Sequence, residues 1–214
     1  MLLAKDPEYP AMIQPGTPQW VKDRIGHLTA SRMADAMSFL RDGKPSQKRT
    51  DYLYDVVAER LCNLAKDHYV TDAMQHGLDY EEEAKAAYME ATGNLIKPAG
   101  FVHHPKIEFF GATPDGLVDF DGLVETKCPT MRTFVKWKMD GEVPEEHKAQ
   151  MIAQCSCTGR KWVDFVAYDP RIQKGYGNIF IRSFYPTKED IEKVESAAIQ
   201  FLKEVDEVFE AMTS

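Results

Sequence analysis

Residues 111–130, GATPDGLVDFDGLVETKCPT, limit the fold of this chain more than any other segment. Two short apolar runs, GLVDF and LVETK, flank Asp121-Gly122, a dipeptide typical of a β-hairpin turn. Because strand side chains alternate between two faces, Glu125 and Lys127 project to the same side, and the turn brings Asp115 back beside Glu125. The segment therefore predicts two carboxylates and one ammonium at one end of a sheet.

Helical patterns lie on both sides of this strand-rich centre. Thr17-Pro18 is typical of a helix start, and Thr29 is expected to cap a second short helix that runs to Met37. Further helices are predicted from an apolar repeat of Leu53, Val56, Val57, Leu61 and Leu64, from Thr71 to Gly93-Asn94, over 132–139 and 145–157, and from a cap at Thr187.

The order of these elements indicates the fold class. Helices come first, then a meander of short strands, a helical pair, two strands (KWVDFVAYD and NIFIRSFY) and a long helix. This order predicts an α/β fold of mixed α+β character, with a central mixed β-sheet flanked by helices. We expect one domain over residues 1–214, because a chain of this length suits a single core.

The charge and the apolar runs narrow the class of function. A net charge of -8 argues against a protein that coats nucleic acid by charge alone. Eight acidic residues and two lysines lie between Glu189 and Glu210, so the rest of the chain is close to neutral and a local basic groove remains open. The sequence has no apolar run long enough for a membrane span, so we expect no membrane partner and a cytoplasmic location.

The four cysteines favour reduced thiols over a disulfide or zinc framework. Their spacing contains no CxxC pair, and four is a low count for a disulfide-stabilised chain of 214 residues. An alternative is a zinc site formed by Cys155 and Cys157 with His103 and His104. Packing of small side chains inside a helix is the simpler interpretation.

The charged residues of the hairpin suit phosphodiester chemistry, although they could also form a structural salt bridge without catalytic function. Mg²⁺ prefers a few carboxylates plus waters, and a neighbouring lysine can act on an attacking water while offsetting phosphate charge. An ordinary surface salt bridge would use the same residue types. Glu81 falls in an apolar stripe of the predicted helix after Thr71, and from the stripe alone a charge at its edge is the simpler interpretation.

Several motifs in the same order resemble one known family. TPDG followed by LVETKCP resembles the PD-(D/E)xK nuclease motif in the form found in the lambda-exonuclease and YqaJ-type viral recombinase family. The segments TPQWVKDRIGHLTAS (17–31), HGLDYEEEA (76–84) and AYDPR (167–171) resemble further elements of that family. Several ordered segments are far more specific than one motif. The resemblance implies a restriction-endonuclease-like PD-(D/E)xK core.

The resemblance also implies roles for individual residues. It makes Asp115, Glu125 and the main-chain carbonyl of Thr126 metal ligands, places Lys127 on the attacking water, and gives Glu81 the position of the family's acidic-helix glutamate. Gln150 lies on the helix where the family carries a glutamine pair, although Ile152 replaces the second member. The implied contacts to the 5′-phosphate or DNA are Arg24, Ser31, Thr113, Arg132 and Met74.

The implied activity is a Mg²⁺-dependent 5′→3′ exonuclease on double-stranded DNA ends. It would use two Mg²⁺ ions per active site, or Mn²⁺, release mononucleotides, and leave 3′ single-stranded overhangs for phage-type homologous recombination in a bacterial host cell. The family implies a ring-shaped homotrimer and a single-strand annealing protein as partner. The alternatives are another nuclease of the superfamily, such as an endonuclease or an RNA-active form, and a non-catalytic protein that binds DNA ends.

Overall fold

The computed structural model describes residues 17–65 and 72–214. Its α-helices are α1 (Pro18–Arg24), α2 (Met33–Ala36), α3 (Gln47–Cys62), α4 (Asp72–Thr92), α5 (Met131–Asp140), α6 (Glu145–Thr158) and α7 (Lys188–Thr213). Its strands are β1 (Leu28–Thr29), β2 (Ile96–Lys97), β3 (Val102–His103), β4 (Phe110–Ala112), β5 (Gly116–Val118), β6 (Gly122–Lys127), β7 (Trp162–Tyr168) and β8 (Ile179–Phe184).

The strands form a five-stranded sheet in the order β2-β5-β6-β7-β8 and a three-stranded sheet in the order β1-β4-β3. Strands β6 and β7 are parallel, while the other pairs of the larger sheet are antiparallel. A parallel pair requires a crossover, and here α5 and α6 supply it. The predicted mixed α/β architecture with a central mixed sheet is therefore confirmed.

Helix α6 lies between two cores and is buried from Met151 to Cys157. Ile152 and Cys157 pack into the core that includes α3 and α7. Met151 and Cys155 pack into the core beneath β6 and β7. Because both sides of the helix are covered, the polar side chains of its buried part, Gln154 and Ser156, are held in fixed directions, and this positions the site.

A buried ion pair joins α3 to α7. Arg49 is 2% exposed and donates from both terminal nitrogens to the carboxylate of Glu204, at 2.6 and 3.0 Å. Its Nε donates to the carbonyl oxygen of Ala36 at 2.9 Å. The fork geometry satisfies a charge that could not otherwise be buried.

Helix caps agree with the sequence at two of the three described positions. The side chain of Thr17 accepts from the amide of Trp20, and Thr187 forms a reciprocal capping box with Asp190. Thr29 does not cap a helix with its side chain, because it ends strand β1 and its amide donates to the hydroxyl of Tyr52 at 3.0 Å. The predicted start at Thr71 lies outside the described residues.

Two other local predictions need correction. The hairpin turn is not centred on Asp121-Gly122, because Val118 pairs with Gly122 and the loop consists of residues 119–121, with Asp119 in the left-handed region. A Cβ on Gly122 would come within 2.1 Å of the Trp162 ring, so that ring requires the glycine. Leu61, in the last turn of α3, and Leu64, beyond its end at Cys62, are both exposed instead of packed in the core.

None of the helices over 17–65 and 72–214 has the length and apolar character that crossing a bilayer requires.

Candidate active site

The hairpin β5–β6 fixes the first carboxylate. Gly116 is paired with Val124, so Asp115 lies opposite the end of β6. The amide and the hydroxyl of Thr126 both donate to Oδ2 of Asp115, at 2.7 and 2.8 Å. Both of these hydrogen bonds fall on Oδ2. Among the hydrogen bonds of the described residues, none falls on Oδ1, so this oxygen remains available to a cation.

The second carboxylate, Glu125, is only 1% exposed and is held by three donors. Its Oε1 accepts from the ammonium of Lys127 and from Nε2 of Gln150 at 2.6 Å. Its Oε2 accepts from Nε2 of Gln154 at 2.5 Å. A buried carboxylate is costly without hydrogen-bond partners, and these three donors supply them.

Burial and the neighbouring charges shift the pKa values of Asp115 and Lys127. Burial, together with the neighbouring charge of Glu125, raises the pKa of Asp115 to about 6. Burial lowers the pKa of Lys127, but the charges of Glu125 and Asp115 outweigh that effect and leave it above its ordinary value. Lys127 is therefore an ammonium at neutral pH, and the site concentrates negative charge that a bound cation would relieve.

Helix α4 adds a second acid–base pair to the site. The ammonium of Lys85 lies 2.7 Å from Oε1 of Glu81, one helical turn away, and also contacts Glu82 at 3.1 Å. Burial lowers the pKa of Lys85, and the contact with Glu81 outweighs this and raises it. Both side chains point into the same space as Asp115.

These groups line a cavity of about 260 Å³. In the same cavity, the guanidinium of Arg24 lies 4.0 Å from the centroid of the Trp20 ring. Trp20 Nε1 donates to the hydroxyl oxygen of Thr113 at 3.2 Å, which leaves the hydroxyl proton of Thr113 able to donate to an anion. The lining residues include Trp20, Arg24, Ser31, Leu78, Glu81, Lys85, Thr113, Asp115, Glu125, Lys127 and Gln150.

The structure brings most of the predicted site residues together. The cavity contains Glu81, Asp115, Glu125, Lys127, Gln150, Arg24, Ser31 and Thr113. Arg132 lies in the first turn of α5 with an exposed side chain and does not line the cavity. Met74 belongs to α4, but its side chain lies outside the described part of the structure. The amide and hydroxyl of Thr126 fix Asp115, while its carbonyl role stays a prediction.

Sequence reasoning missed two contributors, Gln154 and Lys85. Each follows a predicted site residue by four positions on the same helix, Gln150 in α6 and Glu81 in α4, so each shares the face of its predecessor. That spacing was the available signal. It was inconclusive for Gln154, because α6 is buried continuously from Met151 to Cys157 and its sequence does not show which face meets β6.

The donor set fits a hard divalent cation that keeps several waters. In the described ranges, no group of three or more His, Cys, Asp or Glu side chains forms a metal cage. Asp115 and Glu125 instead offer an open pair of oxygen ligands, which is the arrangement that suits Mg²⁺ or Mn²⁺ better than Zn²⁺. The alternative zinc ligand His104 bonds to Ser156 and Glu195 instead.

Comparisons with known proteins identify the fold and the family of this chain. The structure superposes on that of an alkaline exonuclease, LHK-Exo, from Laribacter hongkongensis with a TM-score of 0.85 and 34% identity, covering 92% of this chain and 96% of that chain. The complex of LHK-Exo with dAMP gives a TM-score of 0.84 at the same identity and coverage.

A more distant solved structure and two sequence comparisons concern the fold and the family. A phage-related exonuclease from Haemophilus somnus 129PT shares the fold, with a TM-score of 0.67 at 14% identity, over 87% of this chain and 96% of that one. The search of curated protein sequences gave no match. The model of the YqaJ-like viral recombinase domain matches residues 19–161. The chain therefore belongs to the YqaJ-like viral recombinase family.

Proposed function

We propose that this protein is a divalent-metal-dependent 5′→3′ exonuclease that degrades one strand of double-stranded DNA from its end. The observation that carries the proposal is the cavity that Asp115, Glu125 and Lys127 share with Arg24. The 34% identity to an alkaline exonuclease over nearly the whole of both chains supports a nuclease of this class.

The chain's own residues divide the chemical work. Asp115 and Glu125 would hold Mg²⁺ or Mn²⁺, with Glu81 as a further carboxylate at the cavity wall. When bound, such ions supply Lewis-acid stabilisation of the negative charge that develops on the phosphate. Lys127 is protonated in the metal-free protein, so its ammonium donates to a phosphate oxygen or orients the attacking water. Gln150 holds Glu125 in place for this task.

Arg24, Thr113 and Ser31 account for a preference for chain ends. A terminal 5′-phosphate carries more charge than an internal phosphodiester, and a guanidinium binds it through two parallel hydrogen bonds. Arg24 is fixed over Trp20 at the cavity, and the hydroxyls of Thr113 and Ser31 are further donors there. With the terminal phosphate bound by these residues, the next phosphodiester along the strand is the bond on which we expect Lys127 to act.

The family resemblance supports the biological part of the proposal. We propose a ring-shaped homotrimer around DNA, a single-strand annealing protein as partner, and a role in phage-type recombination in the bacterial cytoplasm. A ring would let an acidic subunit turn its few basic groups toward the DNA. The competing functions are an endonuclease and a non-catalytic end-binding protein.

The decisive assay uses linear duplexes labelled at either end, with Mg²⁺ or with EDTA. We expect Mg²⁺-dependent loss of the 5′-phosphorylated strand, no cutting of closed circles, and a decrease of about 10²- to 10⁴-fold in Lys127→Ala because its donor is lost. Lys136→Ala, which removes an exposed lysine of α5, is the matched control and should keep parental activity.

Each competing function gives a different result. Cutting of closed circles would support an endonuclease. Gel shifts of linear duplexes without any degradation would support an end-binding protein. Parental activity of Lys127→Ala would contradict the role of this lysine even if the nuclease activity itself were present.

A further inference from the structure

The two carboxylates of the site do not have equal freedom to bind a cation, and the difference lies in Glu125. A carboxylate offers two lone-pair directions on each oxygen. On Glu125, Lys127 and Gln150 occupy both directions of Oε1, while Gln154 occupies one direction of Oε2. One direction of Oε2 is therefore left for a cation.

Gln154 is the residue that determines where this remaining direction points. The carboxylate turns about its Cγ–Cδ bond, and hydrogen bonds at both oxygens hold that angle. Gln154 Nε2 supplies the bond to Oε2, the oxygen that keeps a direction for a cation. The side chain of Gln154 is itself 0% exposed and packed within α6, so it cannot follow a rotation of Glu125.

A second observation marks Gln154 as unusual within its own helix. Its Oε1 is buried and has no hydrogen-bond partner, one of few such atoms in the described residues. Reversing the amide would not help, because an oxygen would then face the carboxylate of Glu125. An unpaired buried oxygen costs free energy, so a merely structural position here would be better filled by an apolar side chain.

We infer that Gln154 is a positioning residue that fixes the rotation of Glu125 so that one lone pair of Oε2 faces the divalent cation. This inference rests on the proposed metal-dependent nuclease function and deepens it. Gln154 does not touch DNA or the reacting atoms. It acts through Glu125, as hydrogen-bond partners of metal ligands commonly do.

The test measures Mn²⁺ binding to the protein without DNA, by isothermal titration calorimetry on the full chain. Gln154→Met keeps the length of the side chain and removes the amide, and we expect Mn²⁺ to bind about 10- to 100-fold more weakly. Gln154→Asn retains an amide that cannot reach Oε2, and we expect a loss in the same direction. Circular dichroism and urea denaturation report whether each variant folds.

A control must separate positioning from a general loss of stability. Met151→Ala removes a fully buried side chain from the same helix and leaves the contacts to Glu125 intact, so it should destabilise the protein yet bind Mn²⁺ with parental affinity. Unchanged Mn²⁺ affinity in both Gln154 variants would overturn the inference. So would an equal loss of affinity in Met151→Ala.

A second readout comes from nuclease assays over a range of Mn²⁺ concentrations. The half-saturating Mn²⁺ concentration of Gln154→Met should rise by the same factor as its dissociation constant, and saturating Mn²⁺ should restore turnover to within a few-fold of the parent. A turnover defect that Mn²⁺ does not restore would contradict a positioning role. If the parent binds Mn²⁺ through Glu125 but does not degrade DNA, the proposed function fails while the inference stands.

Discussion

Replacing Asp115 by asparagine should stabilise the metal-free protein at alkaline pH. Burial and the charge of Glu125 disfavour the ionised form of Asp115 in the folded state. Asparagine has no charge, and its side-chain oxygen can still accept the two bonds that Thr126 donates. The variant should therefore lose metal binding while gaining stability, which is the trade expected at a functional site.

The size and sign of this effect follow from the pKa of Asp115. The folded-state pKa of about 6 lies about 2 units above the ordinary value of 3.8. Each unit corresponds to about 1.4 kcal/mol, and partial exposure of the group reduces the total to about 1–3 kcal/mol. Because the folded pKa is the higher one, the parent loses stability relative to the variant as pH rises from about 4 to about 6, and the difference stays constant above that range.

The assay is urea denaturation of both proteins in EDTA at a series of pH values from 4 to 8. We expect equal unfolding free energies near pH 4 and a more stable Asp115→Asn variant at pH 8. Asp51→Asn, at an exposed position on α3, is the control and should lie within about 0.5 kcal/mol of the parent. A variant less stable than the parent at pH 8, or a difference that does not change with pH, would refute the electrostatic reasoning.

The remaining predictions concern the proposed 5′-phosphate contact of Arg24 and the buried ion pair of Arg49 with Glu204. Arg24→Ala should slow digestion about 10- to 100-fold on 5′-phosphorylated ends and much less on 5′-hydroxyl ends, because one charged donor is lost. Lys22→Ala, on the same helix, is the control. Equal slowing on both kinds of end would reject the assignment of Arg24. Glu204→Ala should lower the free energy of unfolding by about 2–4 kcal/mol, because it leaves the buried guanidinium of Arg49 unpaired. Urea denaturation checks this, with the exposed Glu207→Ala expected within about 0.5 kcal/mol of the parent.

The sequence predicted the parts of the site that depend on local rules. Strand alternation was sufficient to place Glu125 and Lys127 on one face and Asp115 beside them, and the contacts confirm this arrangement. The same local rules failed at Gly122, where a glycine typical of turns is required instead by the ring of Trp162, which is distant in sequence. Tertiary packing cannot be read from a dipeptide.

The donors to Glu125 from α6 show a different limit. Gln150 and Gln154 lie four residues apart, but the apolar residues of α6 face two cores, so periodicity does not identify the side that meets β6. The resemblance pointed to a glutamine two residues after Gln150, and the structure supplies the second amide one turn later. Only the packing of α6 against β6 selects that position.

Arg132 marks the limit of assigning residues by resemblance alone. The resemblance assigned it a contact to the 5′-phosphate or DNA, and the structure places its side chain in the exposed first turn of α5. Arg24, assigned by the same resemblance, lines the cavity with the catalytic candidates.

Anomalous diffraction from crystals grown with Mn²⁺ tests the central claim most directly, because it locates the ion without relying on activity. We expect a peak within bonding distance of Oδ1 of Asp115 and Oε2 of Glu125, and its loss in crystals of Asp115→Asn. A peak bound by other residues, with Asp115 and Glu125 both free of the ion, would contradict the proposed metal site.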